Sequence, residues 1–219
     1  MRHHAGVSVW AIVVAGGSGE RFGGSKLLMP LGDRRVVDVA IATAVESCDG
    51  VVVVVPAEAE WDLGAVITVT GGATRSASVR CGLAAVPGDA TVVVVHDAAR
   101  PLADRELFGA VIRAVRNGAD GAVPALAIAD TVKRVRDYVV IETVPRENLV
   151  TVQTPQAFRA TALRAAHAAE PEATDDAGAV EMAGGAVVIV AGRPENVKIT
   201  TAQDLAWVES EWQRQERSR

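Results

Sequence analysis

Apolar positions follow two rhythms along the chain. Unbroken runs of mostly β-branched residues stand at Trp10–Ala15 ("WAIVVA"), Val51–Val55 ("VVVVV"), Ile67–Thr70 ("ITVT") and Thr91–Asp97 ("TVVVVHD"). Runs apolar at successive positions predict strands covered on both faces, as in a parallel sheet between helices. Between them lie helical patterns, "RRVVDVAIATAVES", "TRSASVRCGLAAV" and "DRELFGAVIRAVRNG", the last closed by Gly118 after Asn117. Strand–helix alternation predicts an α/β, doubly wound fold.

The rhythm changes in "AIADTVKRVRDYVVIETVPRENLVTVQTPQAF". Two alternating strands around Arg136-Asp137 are predicted, with Val132, Val135, Val139 and Ile141 as apolar teeth between charges. The pattern alone admits an arm packing on a second subunit or an edge hairpin lying on its own sheet. Helical "ATALRAAHAAE" and "DDAGAVEMAGG" follow, then a strand, "AVVIVAG", and the loop "RPENVKIT". The last helix, "TAQDLAWVESEWQRQ", opens with Thr201 and Asp204 at capping-box spacing. With no internal repeat or low-complexity linker, the 219 residues read as a single domain, 1–219.

Composition narrows the function classes. The 49% hydrophobic fraction and mean hydropathy of +0.22 suit a well-buried core built of Val and Ala, since aromatics are 4%. No apolar run approaches the ~20 residues of a membrane span, and the start lacks a signal-peptide pattern, so a cytoplasmic protein without membrane contact is expected. A net charge of −5 argues against a nucleic-acid partner. It leaves room for a small phosphorylated ligand held by local cations. Cys48 and Cys81 lack metal-type spacing and read as two buried thiols in a reducing compartment. Of 22 Lys and Arg, only three are lysines: Lys26, Lys133 and Lys198. In so arginine-rich a chain, the surviving lysines are candidates for places that need a compact ammonium, with chance placement as the alternative.

The glycine-rich stretch "AGGSGERFGGSK" directly follows the first strand. A dinucleotide fingerprint fails, because Phe22 stands where the third glycine belongs. A switch-type phosphate loop fails as well, because Leu27 replaces the hydroxyl after the lysine. What remains is a strand, then A-G-G-x-G-x-R, then a lysine. Glycine N–H groups at Gly17 and Gly19 can form a nest for phosphate oxygens, with Arg21 and Lys26 reaching the same oxygens. Two cations on one triphosphate suit phosphoryl-group chemistry.

Here the chain resembles a known family. "AGGSGER" is similar to the signature of nucleotidyltransferases that join a sugar or polyol phosphate to a nucleotide. With "GGATRSASVRCGL", "HDAARP", "ADTVKRV", "TPQAF", "ATDDAGAVE" and "GRPENVKITTAQDL", the stretch from about Val9 to Trp207 resembles the 2-C-methyl-D-erythritol 4-phosphate cytidylyltransferases of the non-mevalonate isoprenoid pathway. The resemblance implies a Rossmann-like, mostly parallel sheet with a protruding β-arm, about 129–152, exchanged in a homodimer. It implies CTP and a polyol phosphate as substrates and Mg2+ as cofactor, held by Asp97. Arg21, Lys26 and Lys198 would be catalytic, with Lys198 on a strand facing the phosphates. Ala15, Gly16, Gly17, Gly19, Gly71, Gly72, Ser78, Asp97 and Ala98 would hold the nucleotide; small residues admit a pyrimidine and exclude a purine. Arg100, Thr131, Arg146, Thr154 and Thr174 would meet the acceptor, Arg146 and Thr154 across the dimer. Glu195 or Asn196 would add a polar contact near the metal, Asp175 and Asp176 would cap a helix, and His96 reads as a packed core histidine.

Two other readings stay open from sequence: a ribitol 5-phosphate cytidylyltransferase, differing only in acceptor contacts, and a nucleotide-binding protein without turnover. Lys26, Asp97 and Lys198 together favour catalysis, because a pure binder needs no transition-state cations.

Overall fold

The computed structural model describes residues 8–16, 26–64, 66–170 and 173–217. The elements run β1 (Val9–Val14), a 3-10 turn (Lys26–Leu28), β2 (Pro30–Leu31), β3 (Arg34–Arg35), α1 (Val36–Ser47), β4 (Gly50–Val55), β5 (Ile67–Thr70), α2 (Arg75–Ala85) and β6 (Val92–Asp97). Then come α3 (Arg105–Arg116), β7 (Gly121–Ala127), β8 (Val132–Arg136), β9 (Val139–Val144), β10 (Val150–Val152) and β11 (Gln156–Arg159). The chain continues with α4 (Ala160–Ala168), α5 (Asp176–Met182), β12 (Val187–Ala191) and α6 (Ala202–Glu216).

The main sheet has the order β10-β7-β11-β6-β1-β4-β5, with β12 also paired to β7. Strands β1, β4, β5 and β6 pair in parallel, as does β12 with β7, while β11 lies antiparallel between β6 and β7. Alternate residues of the valine runs feed two cores. Val9, Ala11, Val13, Val51, Val53, Val92 and Val94 pack against α1, α3 and α6. Ile12, Val14, Val52, Val54, Val93 and Val95 pack against α2, α4 and α5. A strand buried on both faces needs an apolar side chain at each position, which is why these runs are continuous. No helix among the described residues is long and apolar enough to cross a membrane.

Several expectations change. The pattern of "ITVT" predicts cover on both faces, but β5 is the last strand in the order and is mostly exposed. Strands β7, β10 and β11 escape the apolar reading. Pro124 interrupts β7, and β11 is the short "QAFR". Pro124 nevertheless stays in the ladder, because its carbonyl accepts from Gln153 N at 2.8 Å and needs no donor of its own. Cys48 and Cys81 are unpaired, as expected, but half-buried rather than buried.

The hairpin β8–β9 pairs only with itself. Asp137 (φ 49°) and Tyr138 (φ 64°) form its two-residue, left-handed turn. Val135, Val139, Val140 and Ile141 are all more than half exposed, so the hairpin does not lie on its own sheet. The predicted arm reaches residue 152, but β10 has already rejoined β7 by Val150.

Candidate active site

Ligands of open α/β sheets sit outside the carboxyl ends of the strands, where the strand order reverses. Here β1 has β4 on one side and β6 on the other, and Val14 stands in register with Asp97, the last residue of β6. Backbone bonds hold the strand ends together: Ala98 N to Val14 O at 3.0 Å, Ala15 N to Val54 O at 2.8 Å and Gly71 N to Val55 O at 2.8 Å.

On one flank lies a pocket edge of small residues. Ser78, in the first turn of α2, donates to Gly72 O at 3.3 Å. A Cβ on Gly71 would come within 2.8 Å of Ser78 Oγ, and one on Gly72 within 2.6 Å of Ala77 Cβ. A larger residue at Gly71 would push the Ser78 side chain aside, and one at Gly72 would press on the main chain of α2 at Ala77. Gly16 faces the same hydroxyl, with space for a Cβ at 3.7 Å. Thr74 caps the helix by accepting from Ala77 N at 3.1 Å, and Arg75 begins it.

Arg75 joins this flank to Asp97. Its Nε donates to Asp97 Oδ1 at 3.1 Å, and its Nη1 donates to Asp176 Oδ2 at 2.8 Å. The second oxygen of Asp97 receives Lys198 Nζ at 2.6 Å. Asp176, 1% exposed, makes its other contact with His167 Nε2 at 3.0 Å. Five side chains from four elements and a loop thus form one chain of charge-assisted bonds. Burial pushes the Asp97 carboxyl up, but Arg75 and Lys198 outweigh it and hold the group well below the usual carboxylate range. Burial opposes the charge on Arg75, and Asp176 and Asp97 more than restore it. Arg100 has no such compensation: burial lowers it, Asp97 opposes, and neighbouring Arg75 lowers it further.

His96 turns away from this chemistry. It is fully buried, edge-on to Phe108 with ring centres 5.2 Å apart. Thr154 Oγ1 accepts from Asp97 N at 3.0 Å and lies within hydrogen-bond distance, 3.1 Å, of His96 Nδ1. Burial is the main cause that depresses His96 from 6.5 to about 4. The unfolded chain takes up this proton near pH 6.5 and the folded one only near 4. Stability from the neutral ring is therefore complete above 6.5 and lost as pH falls from there toward 4. Denaturant unfolding should show a loss of about 2 kcal/mol between about pH 7 and pH 5, absent in His96→Gln. Equal slopes in both proteins would reject the assignment.

A pair of buried amides locks the segment that carries Lys198. Gln153 Nε2 donates to Arg193 O (2.8 Å) and Asn196 O (3.2 Å), and its Oε1 accepts from Arg193 N (3.0 Å). Asn196 Nδ2 donates to Thr154 O at 2.8 Å, and Arg100 Nη1 donates to Asn196 O at 2.7 Å. The resemblance implies a strand for Lys198. The residue lies instead on a non-strand segment after β12, tied down where Ile199 N donates to Ala99 O at 2.8 Å. Asn196, fully buried, serves this clasp.

Comparison with known proteins decides the family. The family model for 2-C-methyl-D-erythritol 4-phosphate cytidylyltransferase matches residues 9–213. The chain belongs to this family. It is 45% identical over 217 residues to the 2-C-methyl-D-erythritol 4-phosphate cytidylyltransferase of Nocardia farcinica, covering 93% of each. It is 41% identical to the bifunctional enzyme IspD/IspF of Solidesulfovibrio magneticus, covering 91% of this chain and 56% of that protein. Among solved structures, the 2-C-methyl-D-erythritol 4-phosphate cytidylyltransferase of Thermus thermophilus superposes with a TM-score of 0.80 at 34% identity, over 91% of this chain and 96% of that one.

Within this cytidylyltransferase fold, the expected residues fall in several places. Ala15, Gly16, Gly72, Ser78, Asp97, Ala98, Arg100, Thr154 and Lys198 gather at the strand ends described above. Lys26 opens the 3-10 turn that follows the glycine stretch, with Leu27 beside it in the core. Thr131 and Arg146 are exposed at the base of the hairpin, where Arg146 Nη1 donates to Ala129 O. Thr174 is exposed just before α5, whose N-cap is Asp175, accepting from Gly178 N at 2.9 Å. Gly17, Gly19 and Arg21 lie outside the described residues. Sequence reasoning missed Arg75, the buried role of Asp176, and Gln153.

Proposed function

We propose that the chain transfers the cytidylyl group of CTP to 2-C-methyl-D-erythritol 4-phosphate, giving 4-diphosphocytidyl-2-C-methyl-D-erythritol and pyrophosphate. The observation that carries this reading is the Asp97–Lys198 pair, an ionised carboxylate and a scarce lysine at the switch point of a sheet of this family. The acceptor phosphate attacks the α-phosphorus in line and pyrophosphate leaves. No general base is required, because the attacking phosphate is already ionised near neutral pH. Lys26, Lys198 and Arg21 neutralise charge on the phosphoryl oxygens, and Ser78 with Gly71, Gly72 and Gly16 receives the cytosine. Arg100 and Thr174 are assigned to the acceptor. Thr154, expected there from sequence, is buried with its hydroxyl committed to Asp97 N and His96 Nδ1 of its own protomer, and it serves to hold Asp97 instead.

Asp97 suits Mg2+. Its Oδ2 already holds a cation, the Lys198 ammonium, and no group of three acidic, His or Cys ligands occurs among the described residues. A single carboxylate fits an ion that takes its other ligands from phosphates and water. When bound there, magnesium supplies charge neutralisation for the triphosphate. Pyrophosphate release across the four nucleoside triphosphates, with 2-C-methyl-D-erythritol 4-phosphate and ribitol 5-phosphate as acceptors, tests the reading. Turnover is expected with CTP and the methylerythritol phosphate; preference for ribitol 5-phosphate would replace the acceptor, and no release at all would leave a binding protein.

The homodimer belongs to the same reading, supported by the apolar teeth that β8–β9 holds in solvent. Thr131 and Arg146 would then reach the neighbour's acceptor. Val139→Lys with Ile141→Lys should convert a dimer into a monomer by light scattering, at little cost to a protomer in which both are exposed. An unchanged mass would count against the arm. Unpaired Cys48 and Cys81 agree with a cytoplasmic location.

A further inference from the structure

We propose that Arg75 is a positioning residue for the transfer reaction: it fixes one oxygen of Asp97, so that the other is presented to a divalent cation. The inference rests on the function proposed above and concerns a residue outside the phosphate-contacting set.

The two cations on Asp97 differ in kind. Lys198 is an extended ammonium on a loop, with its side chain 40% exposed, and it occupies Oδ2 alone. Arg75 is a planar fork held at two of its nitrogens by two carboxylates, Asp97 Oδ1 and Asp176 Oδ2. Its anchor is rigid. Asp176 is buried in the first turn of α5 and is braced by His167 from α4. The neighbouring N-cap Asp175 is itself held by Gln156 Nε2 at 2.8 Å. Asp97 has its main-chain N–H fixed by Thr154 Oγ1, so rotation of its carboxyl group is the remaining freedom. Arg75 removes that freedom from the Oδ1 side and leaves Oδ2 as the exchangeable position. Because Arg75 also starts α2, three residues before Ser78, the same fork sets the distance between the base-side helix and the metal-side carboxylate.

An arginine fork can bridge two carboxylates that a lysine can meet only one at a time. Substitution should therefore act on metal affinity even when the positive charge is kept. Mn2+ titration of the CTP-bound protein reads this directly. Arg75→Gln and Arg75→Lys should each weaken Mn2+ by about 10–100-fold, the usual loss when a partner behind a metal ligand is removed. The half-saturating Mg2+ concentration for pyrophosphate release should rise in parallel, with the acceptor KM within threefold of wild type. Arg75→Lys keeps the charge and one of the two ion pairs, so its thermal midpoint should fall less than that of Arg75→Gln, and it decides the matter if Arg75→Gln does not fold. Wild-type Mn2+ affinity in Arg75→Lys would overturn the proposal. Weakened Mn2+ binding in variants of a protein that releases no pyrophosphate with either acceptor would uphold the positioning role and reject the reaction.

Discussion

Replacing Asp97 with asparagine should lower kcat for pyrophosphate release by about 10²–10³-fold, the scale of losing one charge-stabilising group aimed at the reacting phosphates. The shape is unchanged, so the effect is electrostatic. Asparagine can still accept a hydrogen bond, but it no longer balances Arg75 and Lys198, which meet the two carboxylate oxygens at 3.1 and 2.6 Å. It also supplies no charge to a magnesium ion. The excess positive charge left behind favours the triphosphate, so KM for CTP should change far less than kcat. Steady-state kinetics at saturating acceptor, with circular dichroism as a control on folding, separate the two. A variant within threefold of the wild-type kcat would remove Asp97 from the chemistry.

The second large effect concerns stability. Asp176→Asn should cost about 3 kcal/mol, the low end for breaking a buried ion pair by removing one partner. Asp176 is almost fully enclosed, whereas the Arg75 side chain keeps 27% of its surface in solvent, which is why the low end applies. The loss leaves Arg75 paired only with Asp97 and weakens the contact to His167. At ~2–4 °C per kcal/mol for a chain of this size, the thermal midpoint should fall by about 6–12 °C. A fall below about 2 °C in calorimetry would mean that the pair contributes little to the fold.

Much of the architecture is legible because burial on two faces writes itself as continuous valine. Strands β1, β4 and β6, the helices after them and the Thr201–Asp204 cap all follow from local pattern. The capping box is present, with Thr201 accepting from Asp204 N at 3.2 Å. Where pattern fails, a local feature conceals a tertiary one. "ITVT" looks buried because its composition matches the interior strands, and only its place in the sheet order exposes it. Pro124 looks like a strand breaker, yet its carbonyl side faces Gln153 N. The hairpin is readable from alternation, but whether its teeth meet its own sheet depends on where β10 rejoins β7.

The site divides in the same way. Asp97 and Lys198 stand out through motif and scarcity, and the structure joins them directly. Arg75 does not stand out, because arginine is the ordinary cation of this chain and position one of a helix is an ordinary place for it. Asp176 looks like a second cap beside Asp175. Its burial between His167 and Arg75 has no local signature, since the partners come from α4 and α2. Gln153 and Asn196 are polar residues in loops by sequence and a buried clasp in space.

The two ion pairs that complete the centre, Arg75–Asp176 and Asp97–Lys198, each close a span of 101 residues. During synthesis the first half of the chain therefore emerges with an arginine and an aspartate that can satisfy only one another. The counter-charges arrive with the last quarter, after most of the sheet is already available to pair. Assembly of the reactive centre is thus a terminal event in the life of the nascent chain. A product released before Lys198 can contain every strand from β1 to β12 and still lack the ammonium facing Asp97.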